Sequence, residues 1–138
     1  MKILVDTNIF LDILLQRPPF FKDSHSIFKM AENGFIEGFI APITINNIAY
    51  IARKSHLPDQ IRTFIVLMAE TFTICRMDST TVAQAVGLKF ADIEDSLQAA
   101  MAVSNGCDFI ITSNGSDYKH SPVPAISATT FLDMYTMP

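Results

Sequence analysis

The chain has 138 residues, near the modal size of one domain and too few for two hydrophobic cores, so a single domain spanning 1–138 is expected. Its 10 basic and 14 acidic side chains give a formal net charge of -4, which excludes the strongly basic footprint of a protein that grips nucleic acid by charge alone. Only Cys75 and Cys107 are present, without a CxxC pair or a histidine at metal-ligand spacing, so neither a disulfide framework nor a zinc site is indicated. Asp6 interrupts the first apolar run, and no run approaches the length of a membrane span. A soluble, cytoplasmic protein without membrane association is the expectation.

Lys2 to Val5 reads as a short strand ending at a carboxylate, and Asn8 to Leu15 then places apolar residues at helical spacing. Pro18 and Pro19 break that pattern before a second helix, Lys22 to Glu32, closed by Asn33 and Gly34. Phe39 and Ile40 form a second strand. Pro42 suits the first turn of a third helix running to about Lys54, and a fourth runs from Pro58 to about Ala69. The β-branched and aromatic run Thr71 to Cys75 predicts a strand, Ser79 to Val86 a helix, and Asp92 to Ser104 a strongly periodic helix capped by Asn105 and Gly106. Phe109 to Thr112 is the next strand. After a turn-rich stretch from Ser113 to Pro124 come a short strand at Ala125 and Ile126 and a helix from Thr129 to Met134. Strands alternating with helices predict a three-layer α/β/α domain with a mainly parallel, Rossmann-like central sheet.

In such a sheet the carboxyl ends of the strands and the amino ends of the helices share one edge, where ligands usually bind. Four segments bring polar groups there. Asp6, Thr7 and Asn8 leave the first strand; Thr44, Asn46 and Asn47 open the third helix; Asp92, Glu94 and Asp95 open the helix before Phe109; Thr112, Asn114 and Asp117 leave the strand that follows. Each has a bland alternative, since Asp6 and Asp92 can simply cap helices and Asn114 to Asp117 can simply turn. Carboxylates from separate segments with hydroxyl and amide neighbours nevertheless make an oxygen-only set that suits Mg²⁺ or Mn²⁺. Four acids drawn into one metal site would leave the rest of the chain near neutral, and bound cations would reverse the local field met by phosphate.

The strand-ending ILVDTN, the helix-opening IEDSLQAAMA and the strand-exit IITSNGSDY, in this order and spacing, resemble the acidic motifs of PIN domains, the family that includes VapC-type toxin ribonucleases. The resemblance spans nearly the whole chain. It implies a divalent-metal-dependent endoribonuclease, a hydrolase using Mg²⁺ or Mn²⁺, with Asp6, Asp95 and Asp117 at three of the family's acidic positions and Asn8, Thr112 and Asn114 as supporting polar groups. It also implies a possible antitoxin protein as partner. The family's glutamate early in the third helix is replaced here by Asn47, three residues after Thr44, so Glu94 or Asp92 would have to supply the missing carboxylate as a metal ligand. The alternative is a catalytically degenerate PIN domain that binds RNA or protein without cutting. A phosphoacceptor domain would need an acid directly after Phe39-Ile40, and a dehalogenase-like phosphatase would need a second aspartate where Asn8 stands. Phe20, Phe21, Phe28 and Met30 add more apolar bulk around the first two helices than one face needs, which points either to a homodimer or partner-binding face or, equally, to side chains of the core.

Overall fold

Side chains that alternate along a strand must point to opposite faces, and here both faces are apolar, which is the mark of a sheet covered on both sides. In the computed structural model, which describes residues 1–135, β1 (Lys2–Val5) sends Ile3 and Val5 into one core and Leu4 into the other. The same alternation separates Phe39 from Ile40 in β2 (Glu37–Ile40) and Ile110 from Ile111 in β4 (Phe109–Ile111). With β3 (Thr73–Ile74) and β5 (Ala125–Ile126) they form one all-parallel five-stranded sheet in the order β3-β2-β1-β4-β5. One core takes α1 (Thr7–Leu14), α2 (Phe21–Glu32), α3 (Pro42–Ala52), α4 (Pro58–Thr71) and α7 (Ala128–Met134); the other takes α6 (Ile93–Ser104), with α5 (Ser79–Gly87) packed against α6. The predicted three-layer α/β/α architecture is what the chain adopts.

The order of the strands fixes where a ligand site can form. From β1 the chain moves outward to β2 and β3, then crosses back to place β4 on the other side of β1. The crevice at the carboxyl ends of β1 and β4 is therefore the topological switch point, the habitual ligand position in an open α/β sheet.

Local chemistry decides where elements stop. Asp6 adopts extended backbone and caps α1 by accepting from the Thr7 amide at 2.7 Å. At the other end of α1, Gln16 takes φ +50, its amide donates to the Ile13 carbonyl at 3.2 Å, and the Arg17 amide donates to the Asp12 carbonyl at 3.0 Å. That is the paired bonding of a Schellman end, with glutamine in the left-handed position usually given to glycine. Gly34 closes α2 in the same region of backbone space, at φ +77. The predicted strand Thr71 to Cys75 shrinks to two residues because the last turn of α4 runs on through Thr71 and the Phe72 amide still bonds the Met68 carbonyl at 2.8 Å. Within the turn-rich stretch, Gly115–Tyr118 forms a 3₁₀ turn that β and helical periodicity could not reveal.

Of the four side chains that could serve either a partner face or the core, two belong to the core. Phe28 and Met30 are buried, and Phe28 meets Phe10 and Phe72 edge-to-face at centroid distances of 6.1 and 5.2 Å. Phe21 is half-buried and stacks on His25, leaving Phe20 as the exposed member of the set. The Phe72 ring also explains Gly38: a Cβ there would lie 2.3 Å from the ring. Gly38→Val should therefore destabilise the protein by about 1–3 kcal/mol through overpacking, lowering Tm by several degrees in a thermal melt. An unchanged melting curve would mean that Phe72 has room to move.

Candidate functional site

Asp6 stands at the switch point and is buried, and a buried carboxylate must have hydrogen-bond donors. It has three. Its Oδ1 accepts from the Thr7 amide at 2.7 Å and from Gln98 Nε2 at 3.0 Å, and its Oδ2 accepts from the Thr112 hydroxyl at 2.8 Å. The Thr112 hydroxyl in turn accepts from the Asn114 amide at 3.1 Å, so the exit of β4 is tied to the exit of β1 through one side chain. Thr7 and Thr44 join their hydroxyls at 3.0 Å, fastening the start of α1 to the start of α3 with both residues buried. These bonds hold the direction of the Asp6 carboxylate at the sheet edge.

A second group of acids comes from the start of α6. Asp92 caps that helix, accepting from the Glu94 amide at 2.8 Å and the Asp95 amide at 3.4 Å, so the capping alternative holds for Asp92 itself. Glu94 and Asp95 follow in the first turn, both half-buried. Glu94 Oε1 accepts from Asn47 Nδ2 at 2.8 Å, and Asp95 Oδ1 accepts from the Tyr118 hydroxyl at 3.2 Å. The residue at the position of the absent glutamate thus touches the carboxylate expected to replace it.

Burial and, after it, neighbouring acids shape the electrostatics. Burial, joined by the charges of Asp92, Asp6 and Asp117 and opposed by the Tyr118 hydrogen bond, pushes the Asp95 carboxyl up to about 6. Glu94 is also raised, first by burial and then by Asp92 and Asp6, with Asn47 opposing. The Tyr118 phenol is held well above its ordinary value by burial and by Asp6 and Asp95, so it remains a donor. Asp117 lies exposed on the 3₁₀ turn, lining with Asp92, Asp95, Lys89, Lys119 and His120 one hollow. Asn8 and Asn114 line a second hollow, with Asp12, Arg17 and Phe20. Among the described residues no three His, Cys, Asp or Glu side chains are close enough to grip one ion by themselves. The expectation that Asp6, Asp95 and Asp117 share a cation therefore corresponds here to neighbouring charges, and not to a closed cage.

The profile of the PIN domain matches residues 2–116. The chain belongs to the PIN-domain family. No curated protein matches it significantly by sequence. Solved structures that resemble this PIN domain include DNA-bound VapBC from Salmonella typhimurium, with TM-score 0.71, 18% identity and coverage of 93% of this chain and 98% of that one. A toxin-antitoxin complex from Klebsiella pneumoniae has TM-score 0.69, 23% identity and coverage of 91% and 96%. VapBC2 from Rickettsia felis bound to a promoter DNA fragment has TM-score 0.69, 17% identity and coverage of 92% and 98%. These likenesses share the α/β/α fold of the PIN domain.

Gln98 is the side chain at this edge that the motif reading passed over. It lies one helical turn after Asp95, on the same face of α6, fully buried with its Nε2 on Asp6 and its Oε1 without a partner among the described residues. A signal existed: an amide at i+3 from an acid, in a helix face otherwise filled by Ala99, Met101 and Ala102, is a polar group that burial forces to find a partner. No helix among the described residues is long and apolar enough to cross a membrane.

Proposed function

We propose that this PIN domain is a divalent-metal-dependent endoribonuclease, acting in the cytoplasm as the toxin of a toxin-antitoxin pair. The observation that carries the reading is the acidic edge: Asp6 oriented by three donors at the switch point, with the Glu94 and Asp95 carboxyls raised first by burial and then by their acidic neighbours. Chains of solved toxin-antitoxin complexes share the fold across nearly their whole length, which supports an antitoxin partner. Tyr50, Ile51, Leu57, Val66 and Leu67 on and between α3 and α4 are exposed, apolar surface of the kind that an antitoxin or a second copy in a homodimer would cover.

The donor set fits Mg²⁺ or Mn²⁺. It is oxygen-only, and Mg²⁺ keeps several waters and takes one or two protein carboxylates, so a closed cage is unnecessary. One or two of Asp6, Asp95 and Glu94 would bind the ion directly and the remainder through its waters, with Asp117 beside them and with Asn8, Thr44, Asn47, Thr112 and Asn114 as orienting neighbours. When bound, the cation supplies a water of lowered pKa and charge neutralisation on the scissile phosphate. The chain's own contribution is position. Thr112 and Gln98 fix the Asp6 carboxylate, Asn47 fixes Glu94, and Tyr118 fixes Asp95. Lys89 and Lys119, in the same hollow as Asp95, offset the repulsion a phosphodiester would otherwise meet.

The reading is tested by incubating the purified chain with single-stranded RNA in Mg²⁺ and in EDTA. Cleavage in Mg²⁺ that EDTA abolishes and Mn²⁺ restores is expected; absence of cleavage, with the protein folded, would favour the binding-only alternative. The pH dependence has a defined sign. Before a cation binds, Asp95 takes up a proton as pH falls through about 6, so apparent Mg²⁺ affinity should weaken between pH 7 and pH 5. In the cation-free protein the same raised carboxyl favours the protonated folded state: its stabilising contribution is complete below the ordinary value of 3.8 and is lost as pH rises through about 6.

A further inference from the structure

The hollow on the α1 side of the acids has a construction that the metal chemistry does not use. Its cationic wall is Arg17, whose Nε and Nη2 both approach Asp12 Oδ1, at 3.1 and 3.0 Å, while Nη2 also donates to the Asn8 carbonyl at 3.4 Å. Asp12 is buried and takes a further bond from the Ser24 hydroxyl at 3.3 Å. The Schellman end of α1 fixes the Arg17 backbone as well, through its amide on the Asp12 carbonyl. Arg17 is thus anchored along one side of its guanidinium, and Nη1 has no partner among the described residues. The side chain is 42% exposed, which leaves that free edge open to an anion.

A second part of the lining is Phe20. Its amide donates to the Arg17 carbonyl at 3.1 Å, closing a turn whose middle residues are Pro18 and Pro19, so ring and guanidinium are set by one short rigid segment. Phe20 is 52% exposed although the adjoining core could bury an aromatic, as it does Phe28. Asn8, Ser113 and Asn114 complete the lining with amide and hydroxyl groups, and the space between is about 280 Å³, near the lower end for ligand pockets. Two of these groups lead directly to the acids: Asn8 is two residues from Asp6, and Asn114 reaches it through Thr112.

A fixed guanidinium edge, an exposed aromatic face and several amides, in a space for one small unit, match the parts of a nucleotide: phosphate, base face and base edge. We propose that this hollow is a nucleotide subsite that takes one residue of single-stranded RNA beside the acidic edge, with its phosphate on Arg17 and its base stacked on Phe20. The subsite rests on the ribonuclease reading, because it is the RNA strand crossing the acids that delivers the nucleotide. Asn8 and Asn114 are positioned to read the edge of the stacked base, which makes them the source of any base preference.

The test is an anisotropy titration of a short fluorescein-labelled single-stranded RNA, with Ca²⁺ in place of Mg²⁺, alongside steady-state cleavage in Mg²⁺. Phe20→Ala should raise Kd and KM roughly tenfold and leave kcat near the parent value, while Phe20→Tyr restores binding. Arg17→Gln paired with Asp12→Asn, which keeps a hydrogen-bonded neutral pair in the buried position, should weaken binding similarly and reduce the salt slope by about 0.7, the loss of one phosphate contact on a single strand. If the parent cuts RNA and both folded variants bind it as tightly as the parent, the subsite is wrong and the ribonuclease reading stands. If the parent neither binds nor cuts RNA, both fall together.

Discussion

Glu94→Gln is expected to reduce RNA cleavage about a hundredfold, and Asn47→Glu to reduce it as well. The first follows from charge: Glu94 is the carboxylate nearest the place where a PIN glutamate is expected, and an amide there cannot neutralise a divalent cation. The second follows from the 2.8 Å bond between Asn47 Nδ2 and Glu94 Oε1. Restoring the glutamate at 47 replaces a donor by an acceptor at hydrogen-bond distance from an existing carboxylate whose proton affinity is already raised by burial and neighbouring acids. Two like charges would then face each other, and one would swing away or take up a proton. Sequence comparison alone predicts the opposite, that a glutamate at 47 tightens cation binding. The double variant Asn47→Glu with Glu94→Gln separates the accounts. It moves the carboxylate across the same hydrogen bond and keeps a donor opposite it, so activity should return to within about tenfold of the parent. Calorimetric Mn²⁺ titration of the four proteins gives the matching binding series. Tighter binding by Asn47→Glu alone would mean that Glu94 stands outside the metal's reach.

The contrast between those expectations shows which relations a linear reading can reach. The placement of Asp6, Asp95 and Asp117 is legible because each follows a strand or opens a helix whose period is clear, and topology carries such positions toward one edge of a parallel sheet. What the order of residues could not reveal was pairing across long separations. Asn47 and Glu94 lie 47 positions apart, and Gln98 and Asp6 lie 92 apart. Nothing local says that Gln98 faces Asp6, because the amide sits in a helical stripe otherwise made of core residues. The same loss of long-range information leaves Phe28 and Met30 open between core and partner face: an amphipathic stripe shows which side is apolar, but not that Phe10, Phe28 and Phe72 meet beneath α2. Arg17 carries no local signal either. A basic residue beside two prolines reads as a solvated turn until the buried Asp12 is found holding it.

Asp6→Asn tests the central claim most directly, in a cleavage assay comparing the variant with the parent in Mg²⁺. Asp6 is buried with all its donors in place, so the near-isosteric amide keeps the volume and the acceptor for Thr7 and Gln98 but removes the negative charge at the switch point. The remaining strain is local, since the amide would meet the Thr112 hydroxyl with a donor and that hydroxyl can rotate. A fold judged intact by far-UV circular dichroism and melting is therefore expected. The charge loss removes several kcal/mol of the stabilisation a metal-held phosphate needs, which corresponds to a fall in kcat/KM of about a thousandfold. Cleavage by the parent that disappears in folded Asp6→Asn is the result expected. A folded Asp6→Asn protein that cuts RNA at the parent's rate would place the chemistry elsewhere and contradict the account.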